Sequence, residues 1–235
     1  MSSRDRILGR VRRALADVPD EDAAYEQGPH DATPCEQDPD GDPAYEQAVD
    51  RRYLREHGAR TTGQTVELLA QNLADYRALV HRCADEELPH LLARLLAERG
   101  SRTVLVPPGL PPHWLTAAGL QLVHDRAAST PRELDEVDSV VTGCAVAVAE
   151  TGTLVLDGSP DQGRRRITLV PDHHICVVRV PGQVVPSVPL ALERLVPARP
   201  LTWISGPSAT SDIELDRVEG VHGPRTLEVV LVSGG

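Results

Sequence analysis

A turn dense in hydroxyl groups contains the residues best suited to bind a ligand. It follows an apolar run at residues 201–204, and residues 211–214 (Ser-Asp-Ile-Glu) match a capping box that starts a helix. The candidate binding residues of this turn are Ser205, Gly206, Pro207, Ser208, Thr210 and Ser211. A strand end, a glycine that permits close approach and a helix N-terminus together favour a phosphate or carboxylate site. The hydroxyl groups could instead only cap the helix, since Asp212 would repel an anion.

A carboxylate directly follows a second apolar run. Residues 144–149 predict a buried strand, so Glu150 lies at a strand end, where α/β folds place their working groups. A carboxylate held there could act as a base, a nucleophile or a ligand, and we expect Thr151, Gly152 and Thr153 to contribute to ligand binding beside it. The commoner fate of a single strand-end glutamate is an ion pair with an arginine, and the sequence leaves both open.

Two histidines could supply a second titrating group. His174 lies near the start of a predicted strand, and His222 precedes Gly223, which we include among the ligand-binding residues. Neither histidine has the spacing of a metal site relative to its neighbours, so we expect no bound metal.

Three consecutive arginines precede the apolar residues 167–170. A guanidinium group suits a carboxylate or phosphate, and Arg166 is our candidate from the run Arg164, Arg165 and Arg166. Such a run is more often a solvated loop, and we expect only one of the three side chains to face a pocket.

The sequence lacks the residues and motifs that several common kinds of active site require. Because all 24 basic residues are arginine, a lysine Schiff base and a Walker-type lysine are excluded. The four cysteines never adopt the CxxC spacing of zinc and iron–sulfur sites, so we expect this chain to bind no cofactor itself. There is no GxGxxG, GxSxG or HExxH motif.

Helical and strand patterns alternate after Arg51 and must position these residues. The predicted helices are residues 66–74, 86–99 and 188–195, with one or two helical turns at 113–118. The predicted strands are residues 76–82, 103–106, 120–123, 144–149, 153–156, 167–170, 175–180, 201–204 and 227–232. This order predicts an α/β fold with a Rossmann-like, three-layer arrangement around one mixed sheet, parallel first and with later antiparallel additions. Residues 150–153 predict either a hairpin connection or a bent, continuous strand.

The chain before Arg51 has two parts. Residues 1–16 predict an amphipathic helix, which could dock on a partner or fold back on its own domain. Residues 17–50 hold twelve acidic residues, no lysine or arginine, and five prolines, which favours a flexible linker. Residues 51–235 then form the main domain.

The formal net charge of −11 belongs to the linker. Subtracting its twelve acids from 35 leaves 23 against 24 arginines, a balance compatible with a small anionic ligand. Without nucleic-acid-binding motifs, a membrane-spanning apolar run or a secretory leader, we expect a cytoplasmic protein that binds neither nucleic acid nor membrane.

Together, these segments resemble the lactate utilization protein C family, the stand-alone LUD-domain proteins. The resemblance rests on residues 149–156, 169–175, 205–208, 212–214 and 220–224, in that order, and on the N-terminal helix. It implies a fold similar to ribose-5-phosphate isomerase, glucosamine-6-phosphate deaminase and the CoA transferases. It also implies a role in oxidising L-lactate to pyruvate with partner proteins that carry cysteine-rich and iron–sulfur domains. Similar proteins commonly have arginine where this chain has Ala209.

The resemblance leads to a hypothesis about one cleft. The setting of Glu150 before Gly152 is similar to that of the nucleophilic glutamate in CoA transferases. We expect Glu150, Ser208, Thr210 and either His174 or His222 to line a cleft that binds a small carboxylate or phosphorylated ligand. The alternatives to an accessory role are an isomerase or acyl-transferase-like enzyme and a metabolite-binding regulatory module.

Overall fold

Six parallel strands form the central sheet of the computed structural model, which describes residues 54–208 and 223–234. In spatial order, the strands are β1 (Leu79–Ala84), β10 (Thr226–Ser233), β7 (His173–Val180), β4 (Ser139–Thr142), β2 (Thr103–Val106) and β3 (Gln121–His124). The alternating pattern of the sequence therefore correctly predicted an α/β fold.

A second sheet of four strands packs beside the first. Its order is β8 (Val184–Val185), β5 (Val146–Val148), β6 (Thr153–Leu156) and β9 (Thr202–Ile204). The predicted hairpin at residues 150–153 is confirmed, because it joins the antiparallel pair β5 and β6. The antiparallel strands expected later in the chain lie in this separate sheet, which is mixed, whereas the pairs of the central sheet are parallel.

Within the described residues, four helices cover the sheets. They are α1 (Thr62–Asp75), α2 (Leu88–Glu98), α3 (Pro131–Asp135) and α4 (Val188–Leu192). Helix α1 begins at a capping box, in which Thr61 and Gln64 each accept a hydrogen bond from the backbone N–H of the other. Helix α2 buries five leucines, and the chain leaves it through Gly100, whose φ of +74° suits glycine.

The core has a layered arrangement. The leucines of α2 pack on one face of the six-stranded sheet. Helix α1 and the inner face of the second sheet pack on the opposite face. Helix α4 covers the outer face of the second sheet, while α3 packs near β2 and β4. The central parallel sheet is thus buried on both faces, as a Rossmann-like three-layer fold requires.

The strand predicted at residues 167–170 is wrong. The chain forms a 3-10 turn there, Arg165–Thr168, in which the Thr168 hydroxyl donates to the Arg165 carbonyl at 2.9 Å. The side chain of Ile167 still enters the core against Leu105 and Val140. A buried residue in a short turn has the same apolar signature as a short strand, so the pattern could not separate them.

The loop at residues 157–164 packs closely against the carboxyl ends of β2 and β4 in the six-stranded sheet. A Cβ at Gly143, directly after β4, would lie 2.1 Å from the Oδ2 atom of Asp161. A Cβ at Gly109, after β2, would lie 2.4 Å from the Cβ of Pro160. The loop at residues 157–164 therefore occupies the edge where ligands of open α/β sheets usually bind.

Candidate functional site

A pocket of about 130 Å³ lies at the opposite edge, where β7 and β10 begin and β9 ends. The predicted residues that line it are His174, Ser205, Gly206, Pro207, Ser208 and Gly223. Its other walls come from Thr168, Leu169, Trp203, Ile204, Pro224 and Leu227. We call these twelve residues the histidine pocket. It brings together residues that are far apart in the chain, because β9 ends beside the start of β7.

Among the described residues that line this pocket, His174 has the only titratable side chain. It is completely buried, and its Nε2 atom lies 2.8 Å from the hydroxyl oxygen of Thr142 on β4. Its Nδ1 atom is buried without a hydrogen-bond partner. Burial, reinforced by His173, lowers the pKa of His174 to about 3, so the imidazole is neutral near neutral pH.

A count of hydrogens decides which nitrogen carries the proton. The Thr142 hydroxyl is completely buried, and His174 is its hydrogen-bond partner in the described chain. Donation from Thr142 to Nε2 satisfies the hydroxyl hydrogen, whereas the opposite assignment leaves that hydrogen buried without an acceptor. The favoured tautomer therefore carries its hydrogen on Nδ1, which makes Nδ1 a donor without an acceptor.

A row of hydroxyl groups leads into the pocket from the hairpin between β5 and β6. The Thr151 hydroxyl donates to Thr153 at 2.8 Å, and Thr153 lies 2.8 Å from the hydroxyl oxygen of Ser205. Gly206 then turns the chain with a φ of +80°, and a Cβ there would lie 2.3 Å from the Tyr76 carbonyl oxygen. Glycine is required at this turn because both the backbone conformation and the available space exclude a side chain.

The two described segments, which end at residue 208 and begin again at residue 223, meet at the pocket. The backbone N–H of Ser208 donates to the Pro224 carbonyl at 2.8 Å, which fixes both segments of the wall. Three predicted site residues, Thr210, Ser211 and His222, lie outside the described residues, as do the N-terminal helix and the acidic linker.

Glu150 does not line the histidine pocket. Its carboxylate accepts from the backbone N–H of His57 at 2.8 Å and from Arg60 at 3.2 Å, and it lies 3.0 Å from Nδ1 of His57. Burial raises its pKa, but these hydrogen bonds outweigh burial and lower the pKa overall. The structure thus gives Glu150 the ion pair with an arginine that the sequence offered as the commoner alternative.

Gly152 serves packing against α1. Its φ is +56°, and a Cβ there would lie 2.7 Å from the backbone carbonyl carbon of Asn72. The Asn72 side chain in turn donates to the Ala149 carbonyl at 2.7 Å. The glycine that follows Glu150 therefore permits the hairpin to approach the helix.

The three arginines have separate surroundings. Arg164 donates to the carboxylate of Asp125 and to the carbonyls of residues 126 and 127. Arg166 donates to the Ser129 carbonyl at 2.6 Å and does not line the histidine pocket. Arg165 is exposed, and none of the described residues is a hydrogen-bond or ion-pair partner of its guanidinium group.

The sequence analysis missed Thr142 and Thr168. Thr142 orients His174, and Thr168 lines the pocket while its hydroxyl closes the 3-10 turn. The available signal was weak: a threonine between a short apolar run and Gly143 marks a strand end, but nothing local identifies its partner. Within residues 54–208 and 223–234, no group of three or more His, Cys, Asp and Glu is placed to hold a metal ion. No helix in the same ranges has the length and apolar character to span a membrane.

Comparison with known proteins places the chain among related sequences. A family model described as LUD domain matches residues 66–232. A lactate utilization protein C from Deinococcus radiodurans is 49% identical over 165 residues, which cover 68% of this chain and 76% of that protein. A protein of the same name from Bacillus subtilis is 32% identical over 118 residues, which cover 46% and 48% of the two chains.

A solved structure supports the same relationship. The crystal structure of a DUF162 family protein from Deinococcus radiodurans aligns with a TM-score of 0.65 and 39% sequence identity. The alignment covers 74% of this chain and 99% of that one.

Proposed function

The chain belongs to the LUD domain family, and we propose that it serves lactate utilization as an accessory protein that binds a small carboxylic acid. In this proposal it acts in the cytoplasm beside partner proteins that oxidise L-lactate to pyruvate and carry the iron–sulfur clusters. The names of its relatives support the role in lactate utilization. The buried, unpaired Nδ1 atom of His174 supports the acid-binding role.

The size of the histidine pocket suits a small acid. A cavity of roughly 150 Å³ holds a benzene-sized molecule, and drug-sized sites occupy about 300–1,000 Å³. At about 130 Å³, the pocket matches a molecule such as lactate or pyruvate rather than a nucleotide.

The chemistry of the wall also suits an acid. Leaving a buried donor unpaired costs about 1–3 kcal/mol, so a ligand oxygen that accepts from Nδ1 recovers that free energy. A carboxylate oxygen is the strongest acceptor that a small metabolite offers, because a hydrogen bond to a charged group is shorter and stronger than a neutral one. The hydroxyl of Ser205 supplies a second polar contact on the same wall.

Binding measurements on the full chain test this function. Titration with L-lactate and with pyruvate should give saturable binding that His174→Leu weakens by about 10- to 100-fold, the value of a hydrogen bond to a charged group. His113→Leu is the matched control, because His113 is exposed in a different turn. Ser205→Ala keeps the test decisive if His174→Leu fails to fold, and it should also weaken binding. Equal affinity in all these proteins, or no binding of either acid, contradicts the proposal.

A second experiment tests the accessory role. Deletion of the gene should abolish growth on L-lactate, and growth should return with the wild-type gene but not with a folded His174 variant. The tagged wild-type protein should co-purify with proteins that contain iron–sulfur clusters. Growth on lactate without the gene would contradict the role in lactate utilization.

A further inference from the structure

A second pocket adjoins the histidine pocket and contains the arginine without a described partner. This arginine pocket, of about 210 Å³, has walls that include Leu156, Gly163, Arg165, Thr168 and Thr202. Thr168 is buried and lines both pockets, so the two pockets adjoin at this residue. We propose that Arg165 binds a second anionic group of the ligand, which makes the preferred ligand a small acid with two anionic groups. This inference rests on the acid-binding function proposed above.

Of the three consecutive arginines, Arg165 is the one available to bind an anion in the arginine pocket. The Asp125 carboxylate neutralises Arg164, and the Nε atom of Arg164 lies 2.8 Å from Oδ2 of Asp125. Arg166 donates to the Ser129 carbonyl and does not line the arginine pocket. A guanidinium group offers five N–H donors in a planar fork that fits a carboxylate or a phosphate. Arg165 therefore supplies both the charge and the donors for an anion.

The wall of the arginine pocket is held in place without a ligand. Asp157 pairs with Arg199 at 2.7 Å, and its backbone N–H donates to the side chain of buried Gln162 at 2.7 Å. Gly163 leaves no space for a side chain, since a Cβ there would lie 2.6 Å from Cδ1 of Ile167. A preformed wall lowers the entropy cost of binding.

The nearby carboxylates do not satisfy Arg165. Asp157 and Asp125 pair with other arginines, as described above. Asp161 lies against Gly143 at the carboxyl edge of the central sheet, and its side chain is not part of either pocket. Arg165 therefore lines a pocket whose other described side chains are apolar, neutral or already paired.

The short turn from Arg165 to Thr168 connects the two groups that bind the two anionic ends of the proposed ligand. The Thr168 hydroxyl donates to the Arg165 carbonyl at 2.9 Å, which fixes the backbone of Arg165 relative to the wall of the histidine pocket. One carboxylate accepts from Nδ1 of His174, and the second anionic group binds the guanidinium group of Arg165. The second group is a carboxylate or a phosphate, since both fit the planar fork.

Calorimetric titration of the full chain with three related acids tests this inference. L-Lactate carries one anionic group, L-malate adds a second carboxylate, and phospholactate adds a phosphate. We expect malate, phospholactate or both to bind about two- to fivefold more tightly than lactate, as a partly exposed charge pair allows. Preference for only one of the two identifies the second group as a carboxylate or as a phosphate.

Charge-removing variants assign the preference to Arg165. Arg165→Gln should abolish the advantage of the two-charge acids, so that malate and phospholactate bind this variant no more tightly than lactate binds it. Arg132→Gln removes the same charge from a side chain that is 91% exposed in α3, and it should preserve the advantage. Because the Arg165 side chain is exposed and has no described partner, its replacement should not impair folding.

The possible failures are distinguishable. If lactate binds through His174 but the two-charge acids bind no more tightly, the role of Arg165 is wrong and the acid-binding function stands. An advantage that survives Arg165→Gln also overturns this inference. If none of the three acids binds, both proposals are wrong.

Discussion

The imidazole Nε2 of His173 lies 3.0 Å from the Oε1 atom of Glu228, and both side chains are buried in the central sheet. The other carboxylate oxygen of Glu228 lies 2.6 Å from Nε2 of His81. On the opposite side, Nδ1 of His173 lies 2.8 Å from the hydroxyl of Ser139, which lies 2.6 Å from that of Ser101. Five polar side chains thus form one hydrogen-bonded row.

This polar row crosses the central sheet near the amino ends of its strands. His81, Glu228, His173 and Ser139 belong to the four neighbouring strands β1, β10, β7 and β4, and Ser101 precedes β2. Because the contacts run from strand to strand, they fix the register of neighbouring parallel strands. Such strands are not joined by a short hairpin that could set the register. Buried polar groups that are all paired also favour a single arrangement of the sheet.

Removal of the Glu228 carboxylate should destabilise the fold strongly. Glu228→Ala leaves His81 and His173 without their acceptor, and we expect a loss of about 2–4 kcal/mol in the free energy of unfolding. Urea unfolding measures this loss. Glu67→Ala is the control, because its ion pair with Arg82 is about half exposed, and its loss should stay below about 1 kcal/mol. Similar losses in the two variants would show that the polar row contributes little.

Acid should weaken the fold in two stages. His174 ordinarily titrates at 6.5 but has a folded-state pKa of about 3, so the unfolded chain binds the proton first as pH falls. The free energy of unfolding should therefore decrease below about pH 6.5, by up to about 1.4 kcal/mol per pH unit. Urea unfolding between about pH 7 and 5 should show a smaller decrease for His174→Gln. An equally steep decrease in that variant would contradict the assignment.

Glu228 should dominate the second stage. Burial raises its pKa, but the hydrogen bonds from His173 and His81 outweigh burial and lower it from 4.5 to about 2. Its stabilising contribution is complete above about pH 4.5 and is lost as pH falls toward 2. Urea unfolding of Glu228→Gln should show a flatter pH dependence in that range than the wild type, and an unchanged dependence would contradict this assignment.

Strong local patterns in the sequence predicted the elements well. Residues 86–99 were predicted as a helix, and α2 spans Leu88–Glu98, because five leucines on one face pack against the sheet. Strand β4 was missed because only two of its four residues are apolar. Its polar residues, Ser139 and Thr142, contact His173 and His174, and such pairing between distant strands leaves no local signature.

The location of the site was only partly predictable. The hydroxyl-rich turn and His174 could be selected by residue type, and the structure brings them together in one pocket. Their meeting depends on how the second sheet, which contains β9, packs on the central sheet, which contains β7, and no single segment encodes that packing. Glu150 follows β5, a strand of the second sheet, so the rule for strand ends of open parallel sheets did not apply to it.

Substitution of Glu150 should distinguish a structural from a catalytic role. Glu150→Gln weakens the contacts with His57 and Arg60, and we expect a loss of about 1 kcal/mol or less in the free energy of unfolding. Affinity for lactate and growth on lactate should remain at the wild-type level, because the carboxylate lies outside the histidine pocket. Loss of growth by a variant of unchanged stability and affinity would instead support a nucleophilic glutamate.

Gly206→Ala should damage both the fold and the pocket. The added Cβ would meet the Tyr76 carbonyl oxygen at 2.3 Å in a backbone conformation that favours glycine, and we expect a loss of about 2 kcal/mol or more. Thermal unfolding and lactate titration measure the two effects. Gly182→Ala is the control, because no atom lies within 4 Å of its Cβ position and its φ is not in the glycine region. Equal stability of the two variants would contradict the steric argument.

The role of the Nδ1 proton of His174 can be tested by comparison with His173, which makes a similar hydrogen bond to a buried hydroxyl group. Thr142→Val removes the hydroxyl that fixes the tautomer of His174, while Ser139→Ala removes the corresponding hydroxyl beside His173, and both bonds are 2.8 Å long and buried. Each variant should lose about 1–2 kcal/mol in urea unfolding. Only Thr142→Val should weaken lactate binding, because the imidazole can then carry its hydrogen on Nε2 and present a lone pair to the carboxylate. Equal affinities in the two variants would show that the Thr142 hydroxyl does not set the tautomer to which the ligand binds.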